Sequence, residues 1–154
     1  MLNSVRINVY LSWNERRKTA WTHRPYHGGM VDGPHNGPPP GTWQIPTSKP
    51  KEFGEETYKK PVPHTEEVRT CWRCYGRGQI RCTRCRGRGH VDCPSCSGGV
   101  KSDGERCGRC RSGRLRCTTC GGDGLRRCFT CEGSGRLCHY LLLTIDFKGY
   151  AQLS

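Results

Sequence analysis

Large aliphatic side chains are scarce in this chain of 154 residues: Leu, Ile, Val and Phe together number 23, near 15%. That level is too low for an ordinary apolar core, so an enzyme of conventional globular build is excluded. Long apolar runs are missing as well. The longest cluster surrounds Leu141, Leu142 and Leu143, which is far too short to span a bilayer, and a membrane span is excluded. A secretory leader is not expected either, because Asn3, Arg6, Asn8 and Asn14 interrupt the apolar positions of residues 1–18. The protein is therefore expected inside the cell, in cytoplasm or nucleus. Acidic residues are few, 13 against 26 Lys and Arg, giving a formal net charge of +13.

What the chain has instead is cysteine, 13 residues of it, with 21 glycines. Such a density points to a disulfide or a metal scaffold. In a reducing compartment thiols stay reduced, and paired Cys-x-x-Cys motifs point to metal. From Cys71 to Cys131 six units follow one another: CWRCYGRG, CTRCRGRG, CPSCSGGV, CGRCRSGR, CTTCGGDG and CFTCEGSG. Their first cysteines fall at Cys71, Cys82, Cys93, Cys107, Cys117 and Cys128, so regular steps of 11 are broken by one of 14 and one of 10. The long step contains Lys101-Ser102-Asp103-Gly104-Glu105, whose Asp-Gly pair predicts a tight reversal. Single apolar residues in the linkers, Ile80, Val91, Leu115 and Leu125, suit short extended arms.

Two cysteines separated by two residues turn both sulfurs to one side of a knuckle, and two knuckles complete a tetrahedral zinc site of four cysteine sulfurs. Twelve cysteines predict three structural Zn²⁺ ions. Spacing nearly mirrored about the long step favours nesting. The groups would be Cys93, Cys96, Cys107 and Cys110 beside the reversal, then Cys82, Cys85, Cys117 and Cys120, then Cys71, Cys74, Cys128 and Cys131. Pairing of adjacent knuckles is the alternative. Glycines at 76, 87, 98, 122 and 133 supply the positive φ that turns backbone N–H groups toward sulfur. Ser112 replaces this glycine in the fourth unit and Val100 the second glycine of the third, so both units next to the reversal should be irregular. With four protein sulfurs per ion no coordination position stays open, and no enzymatic activity is expected. The thirteenth cysteine, Cys138, reads as a packed free thiol. His23, His27 and His35 lack any ligand spacing.

Around the array, residues 1–67 hold nine of the ten prolines, with Trp13, Trp21 and Trp43 scattered among them. No periodic pattern persists, and a largely disordered Pro/Gly-rich lead-in is expected. Residues 68–137 form the zinc domain. Residues 138–154 open a β-rich region: Leu141, Leu143, Ile145 and Phe147 alternate with Leu142, Thr144, Asp146 and Lys148, a strand signal. A lone strand is not stable in water, so it either docks back or leads into a longer protein. The predicted fold is a small metal-stabilised β structure, an extended β-hairpin zinc ribbon of six knuckles behind a mostly irregular segment.

The unit Cys-x-x-Cys-x-Gly-x-Gly resembles the repeat of the cysteine-rich domain of DnaJ-type chaperones, and the first, second, fifth and sixth units match it in full. The resemblance implies an extended zinc-bound hairpin with nested pairing that contacts unfolded or partner polypeptide. Six units stand here where that domain has four. No His-Pro-Asp tripeptide is present, so stimulation of an Hsp70 ATPase is not implied. From about Trp43 to Lys148 the chain also resembles the vertebrate and nematode Ssu-two homologue family, through Val62-Pro63-His64-Thr65, the six-unit array and the LLLTIDF strand. That resemblance implies nuclear and cytoplasmic location and a link to development, including tooth formation. In that family a further β domain follows the strand, which implies truncation here.

Polypeptide binding, chaperone-like or as a scaffold, is the leading expectation. Nucleic-acid binding is the alternative, because Arg73, Arg77, Arg81, Arg84, Arg86 and Arg88 crowd the first two units beside Trp72 and Tyr75. Against it, 16 basic and 5 acidic residues between Val68 and Leu137 leave only about +5 once twelve thiolates and three Zn²⁺ are counted. Some arginines are expected to neutralise the thiolate sites and to hydrogen-bond sulfur. Thiol–disulfide exchange needs an exposed, metal-free thiol of lowered pKa, which this array does not offer.

Overall fold

The computed structural model of the chain describes residues 8–153. The part of the leader reading that falls on residues 1–7 lies outside the described residues. Among the described residues eight strands are present: β1 (Val9–Pro25), β2 (Glu55–Pro61), β3 (Glu67–Thr70), β4 (Gln79–Arg81), β5 (His90–Asp92), β6 (Arg114–Arg116), β7 (Leu125–Arg127) and β8 (Arg136–Leu153). The only helical elements among the described residues are two 3-10 turns, Pro34–Asn36 and Thr42–Gln44. Among the described residues no helix is long and apolar enough to cross a membrane. Contacts divide the described residues into two units, one from residues 8–24, 28–68 and 138–153, the other from 25–27 and 69–137.

In the first unit β8 is the centre of a sheet ordered β1-β8-β2, with β3 also paired to β8. β2 runs antiparallel to it, with Tyr58 opposite Ile145 and Pro61 opposite Leu142. The alternation legible in the sequence appears as burial: Leu143 and Ile145 are fully buried and Phe147 nearly so, packed with Ile45 and Val62. Trp13 meets Phe147 edge-on at 6.3 Å and Phe53 at 5.3 Å, and Tyr58 meets Phe147 at 5.8 Å. Polar contacts tie the irregular chain to this sheet. Arg17, paired with Glu15, donates to the carbonyls of Thr42 and Ile45, both at 2.7 Å. Glu66 accepts from Arg24 at 2.6 Å and from the Asp32 N–H at 2.8 Å.

The expectation of an irregular lead-in over residues 1–67 is corrected here, since β1 and β2 both lie within it. Neither sequence, VYLSWNERRKTAWTHRP or EETYKKP, carries a sustained alternation of apolar and polar residues. Their extended conformation is set by hydrogen-bonding to β8, a non-local partner that propensity along the chain does not register. The strand expected over His139–Lys148 has its partners within this chain.

In the second unit the short arms pair antiparallel: β4 with β7, placing Ile80 opposite Arg126, and β5 with β6, placing Val91 opposite Leu115. The reversal forms as the Asp-Gly pair predicts. Lys101 N–H donates to the Glu105 carbonyl at 2.8 Å, Gly104 N–H to the Lys101 carbonyl at 2.9 Å, and Glu105 N–H to the Asp103 carboxylate at 2.9 Å.

Candidate metal centres

Twelve cysteines come together in three groups of four: Cys71, Cys74, Cys128 and Cys131; Cys82, Cys85, Cys117 and Cys120; Cys93, Cys96, Cys107 and Cys110. Within each group all four sulfurs lie within 4.8 Å of one another, so each is positioned to hold a metal ion. The first unit thus faces the sixth, the second the fifth and the third the fourth. Adjacent knuckles do not share a group, with the exception of the pair flanking the reversal.

The geometry fits a tetrahedral thiolate-bound ion. Zn–S bonds of about 2.3 Å imply sulfur–sulfur edges of about 3.8 Å. The first group has Sγ separations of 4.0 Å (Cys71–Cys128) and 3.7 Å (Cys74–Cys131), the second 3.9 Å (Cys82–Cys117) and 3.7 Å (Cys85–Cys120). In the third, Cys96 and Cys110 stand 3.3 Å apart, closer than such an edge.

Backbone groups build each centre reciprocally. The N–H of the first cysteine in a unit donates to a glycine carbonyl of the facing unit: Cys71 to Gly135 at 2.8 Å and Cys128 to Gly78 at 2.9 Å, Cys82 to Gly124 at 2.9 Å and Cys117 to Gly89 at 3.0 Å. Those same glycines donate their own N–H to the second cysteine sulfur of their unit, at 3.2 Å from Gly78 to Cys74, from Gly124 to Cys120 and from Gly135 to Cys131, and at 3.3 Å from Gly89 to Cys85. The second glycine of the motif therefore serves two units at once, orienting one sulfur and anchoring the opposite chain.

The irregular third and fourth units depart from this pattern in the same way. Each is one residue shorter, with Gly98-Gly99 and Ser112-Gly113 as the central pairs of two-residue turns, all four at positive φ. Bridges Ser97–Val100 and Arg111–Arg114 close these turns, which have the form that tight hairpins favour. Gly99 and Gly113 then accept from Cys107 at 2.8 Å and Cys93 at 2.7 Å, the part that the second glycine takes elsewhere. The step of 10 between the fourth and fifth units is the trace of this shortening in the sequence.

Four neighbouring thiols resist joint ionisation unless a cation completes them. In the third group the Arg109 N–H holds Cys107 down to about 7, while contact with Cys96 and burial push Cys110 up to about 12. In the first, burial pushes Cys71 up to about 11. At Cys131 burial opposes the thiolate, yet the Gly135 N–H and neighbouring sulfurs hold it down to about 7.

Three of the arginines bond backbone carbonyls rather than sulfur. Arg81, Arg116 and Arg127, each immediately before a first cysteine, donate Nε to the carbonyls of Arg86, Gly121 and Glu132 at 2.7, 2.6 and 2.9 Å. They brace the knuckle backbone, and the sulfurs take their bonds from backbone N–H. Arg73 stacks over Phe129 at 4.5 Å, while Trp72, Tyr75 and Phe129 are all more than half exposed. Cys138 is fully buried outside the three groups, and burial raises its thiol pKa. Among the described residues no histidine joins a cysteine group; His27 contacts Glu132 at 3.2 Å.

Fold and site together define a mostly β protein with three four-cysteine groups positioned to hold metal ions. The chain is 41% identical over 70 residues to Protein SSUH2 homolog of Homo sapiens, covering 46% of this chain and 19% of that protein. It is likewise 41% identical over 70 residues to the Mus musculus protein of that name, and 36% over 67 residues to the Danio rerio one. The chain spans about a fifth of the length of the curated relatives it matches. No family model matches it, and no solved structure does.

Proposed function

We propose that the chain is a structural-zinc interaction module of the SSUH2 homologue family that binds polypeptide, as a chaperone-like surface or a scaffold, and has no enzymatic activity. The observation that carries this reading is the closure of each candidate centre by four cysteine sulfurs. Such a donor set suits Zn²⁺ and offers no position for a reacting water. The metal would act as a staple. Around it Trp72, Tyr75 and Phe129 are exposed on rigid turns, a cheap presentation of contact area because little side-chain freedom is lost on binding.

The test is to count zinc in the purified chain by native mass spectrometry, then to measure by anisotropy the binding of a labelled, neutral, aromatic-rich unfolded peptide before and after chelation. Three zinc ions and binding that disappears on chelation are expected. Absence of zinc, or failure of the loaded chain to bind any unfolded peptide, neutral or acidic, overturns the reading. A second reading, nucleic-acid binding, draws on the 16 basic residues between Val68 and Leu137; a single-stranded oligonucleotide bound more tightly than any peptide would favour it.

A further inference from the structure

Beside β4 and β7 lies an open concavity lined by Arg77, Arg81, Arg86, Arg88, Gln79 and Leu125. Among the described residues none of the four arginines has a carboxylate partner, and no acidic residue lines the cavity. Leu125 is 47% exposed, an aliphatic patch amid the cations. One wall is held in place: Arg81 is fixed by its bond to the Arg86 carbonyl at 2.7 Å. At the base Gly124 approaches Gly87 so closely that a Cβ would stand 2.4 Å from its carbonyl oxygen.

We infer that this concavity is a docking site for an acidic polypeptide segment, one that sets an aliphatic side chain on Leu125 and carboxylates against the surrounding guanidinium groups. The inference rests on the polypeptide-binding reading above and names the class of segment recognised. Two features select peptide over nucleic acid. Sites for single strands combine cations with aromatic faces on which bases stack, whereas the exposed aromatics Trp72, Tyr75 and Phe129 lie outside this lining. An aliphatic floor instead suits a Leu or Val side chain, while the planar fork of each arginine suits bidentate carboxylate. Arg81, already positioned by that bond, also needs little ordering when the ligand arrives.

The experiment uses the full zinc-loaded chain and fluorescence anisotropy with three probes: a peptide of glutamates flanking one leucine, the same peptide with glutamine for glutamate, and a single-stranded oligonucleotide. The acidic peptide is expected to bind at least about tenfold more tightly than its neutral twin, with affinity falling as salt rises. Substituting Arg77→Gln and Arg88→Gln, which leaves the bracing Arg81 intact, should remove that preference while zinc content is unchanged. Leu125→Ser should weaken the acidic peptide without abolishing its salt dependence. Should the double variant lose zinc, the salt dependence and acidic preference of the parent chain still decide. Equal affinity for both peptides overturns the inference and leaves the broader polypeptide reading standing. Failure of every peptide to bind overturns both. Oligonucleotide binding tighter than the peptide and indifferent to Leu125→Ser overturns the inference in favour of a nucleic-acid surface.

Discussion

A Cβ placed on Gly78 would sit 2.3 Å from the carbonyl oxygen of Gly133, the first glycine of the facing unit. Gly135 meets the Gly76 carbonyl at 2.4 Å in the same way. No backbone can move aside here without pulling its knuckle away from the sulfurs. Gly78→Ala combines this collision with a positive φ of 76° and is expected to cost about 2–4 kcal/mol. Gly98→Ala is the control: its φ is 63°, but nothing lies within 4 Å of the added methyl, so about 1 kcal/mol is expected. Denaturant titration of the zinc-loaded variants measures both. Equal losses would show that φ alone matters and that the close approach does not constrain the site.

That contrast also explains what the sequence could convey. Ligand spacing and knuckle glycines are local, so the six units and their reversal at Lys101 to Glu105 are legible from residue order. The mirrored steps favour the grouping that the sulfurs adopt. β8 is legible because Leu141, Leu143, Ile145 and Phe147 repeat with the strand period. β1 and β2 are not, because their partner is far along the chain and their solvent-facing residues dilute any alternation. The arginine braces are not legible either. Only their position directly before Cys82, Cys117 and Cys128 hinted at a geometric part.

Bracing and charge neutralisation make opposite predictions for Arg127. Its Nε donates to the Glu132 carbonyl, a residue held at φ 52° in the sixth unit. A lysine keeps the charge but cannot place the same fork against the carbonyl. Arg127→Lys is therefore expected to lose nearly as much as Arg127→Ala, about 0.5–1.5 kcal/mol, with faster zinc transfer to a chromogenic chelator. Arg126→Ala, on the same strand, should change neither. Full rescue by lysine would return the residue to a purely electrostatic role.

Acid should loosen the first unit at a defined place. Asp32 accepts from the Asn36 amide and from the N–H and ring of His64, contacts that hold its carboxyl down from 3.8 to about 2. Because the folded value lies below the unfolded one, the stabilisation is complete above about 4 and is lost as pH falls through about 2. Glu66 is lowered as well, by Arg24 first and then by the Asp32 N–H. Amide NMR shifts of Asp32 and His64 are expected to titrate together in this window. In Asp32→Asn the His64 shift should stay flat. A His64 amide that titrates unchanged in the variant would dissociate the two residues.

Arg17 decides whether the segment before the array is held to the sheet. Its side chain is only 5% exposed, it pairs with Glu15, and it reaches the carbonyls of both Thr42 and Ile45. Ile45 in turn belongs to the apolar cluster with Leu143, Ile145 and Phe147. Removing the cation leaves two carbonyls and a carboxylate without their donor, and each such loss in a buried setting costs about 1–3 kcal/mol. Arg17→Ala should therefore destabilise by at least about 2 kcal/mol. It should also raise hydrogen exchange over residues 42–45 and shift the fluorescence of Trp43, over whose ring the guanidinium lies at 4.9 Å. Arg16→Ala, one residue away and without these bonds, should leave exchange in that segment unchanged. If exchange over 42–45 is already complete in the parent chain within the dead time, the segment is not held to the sheet by Arg17.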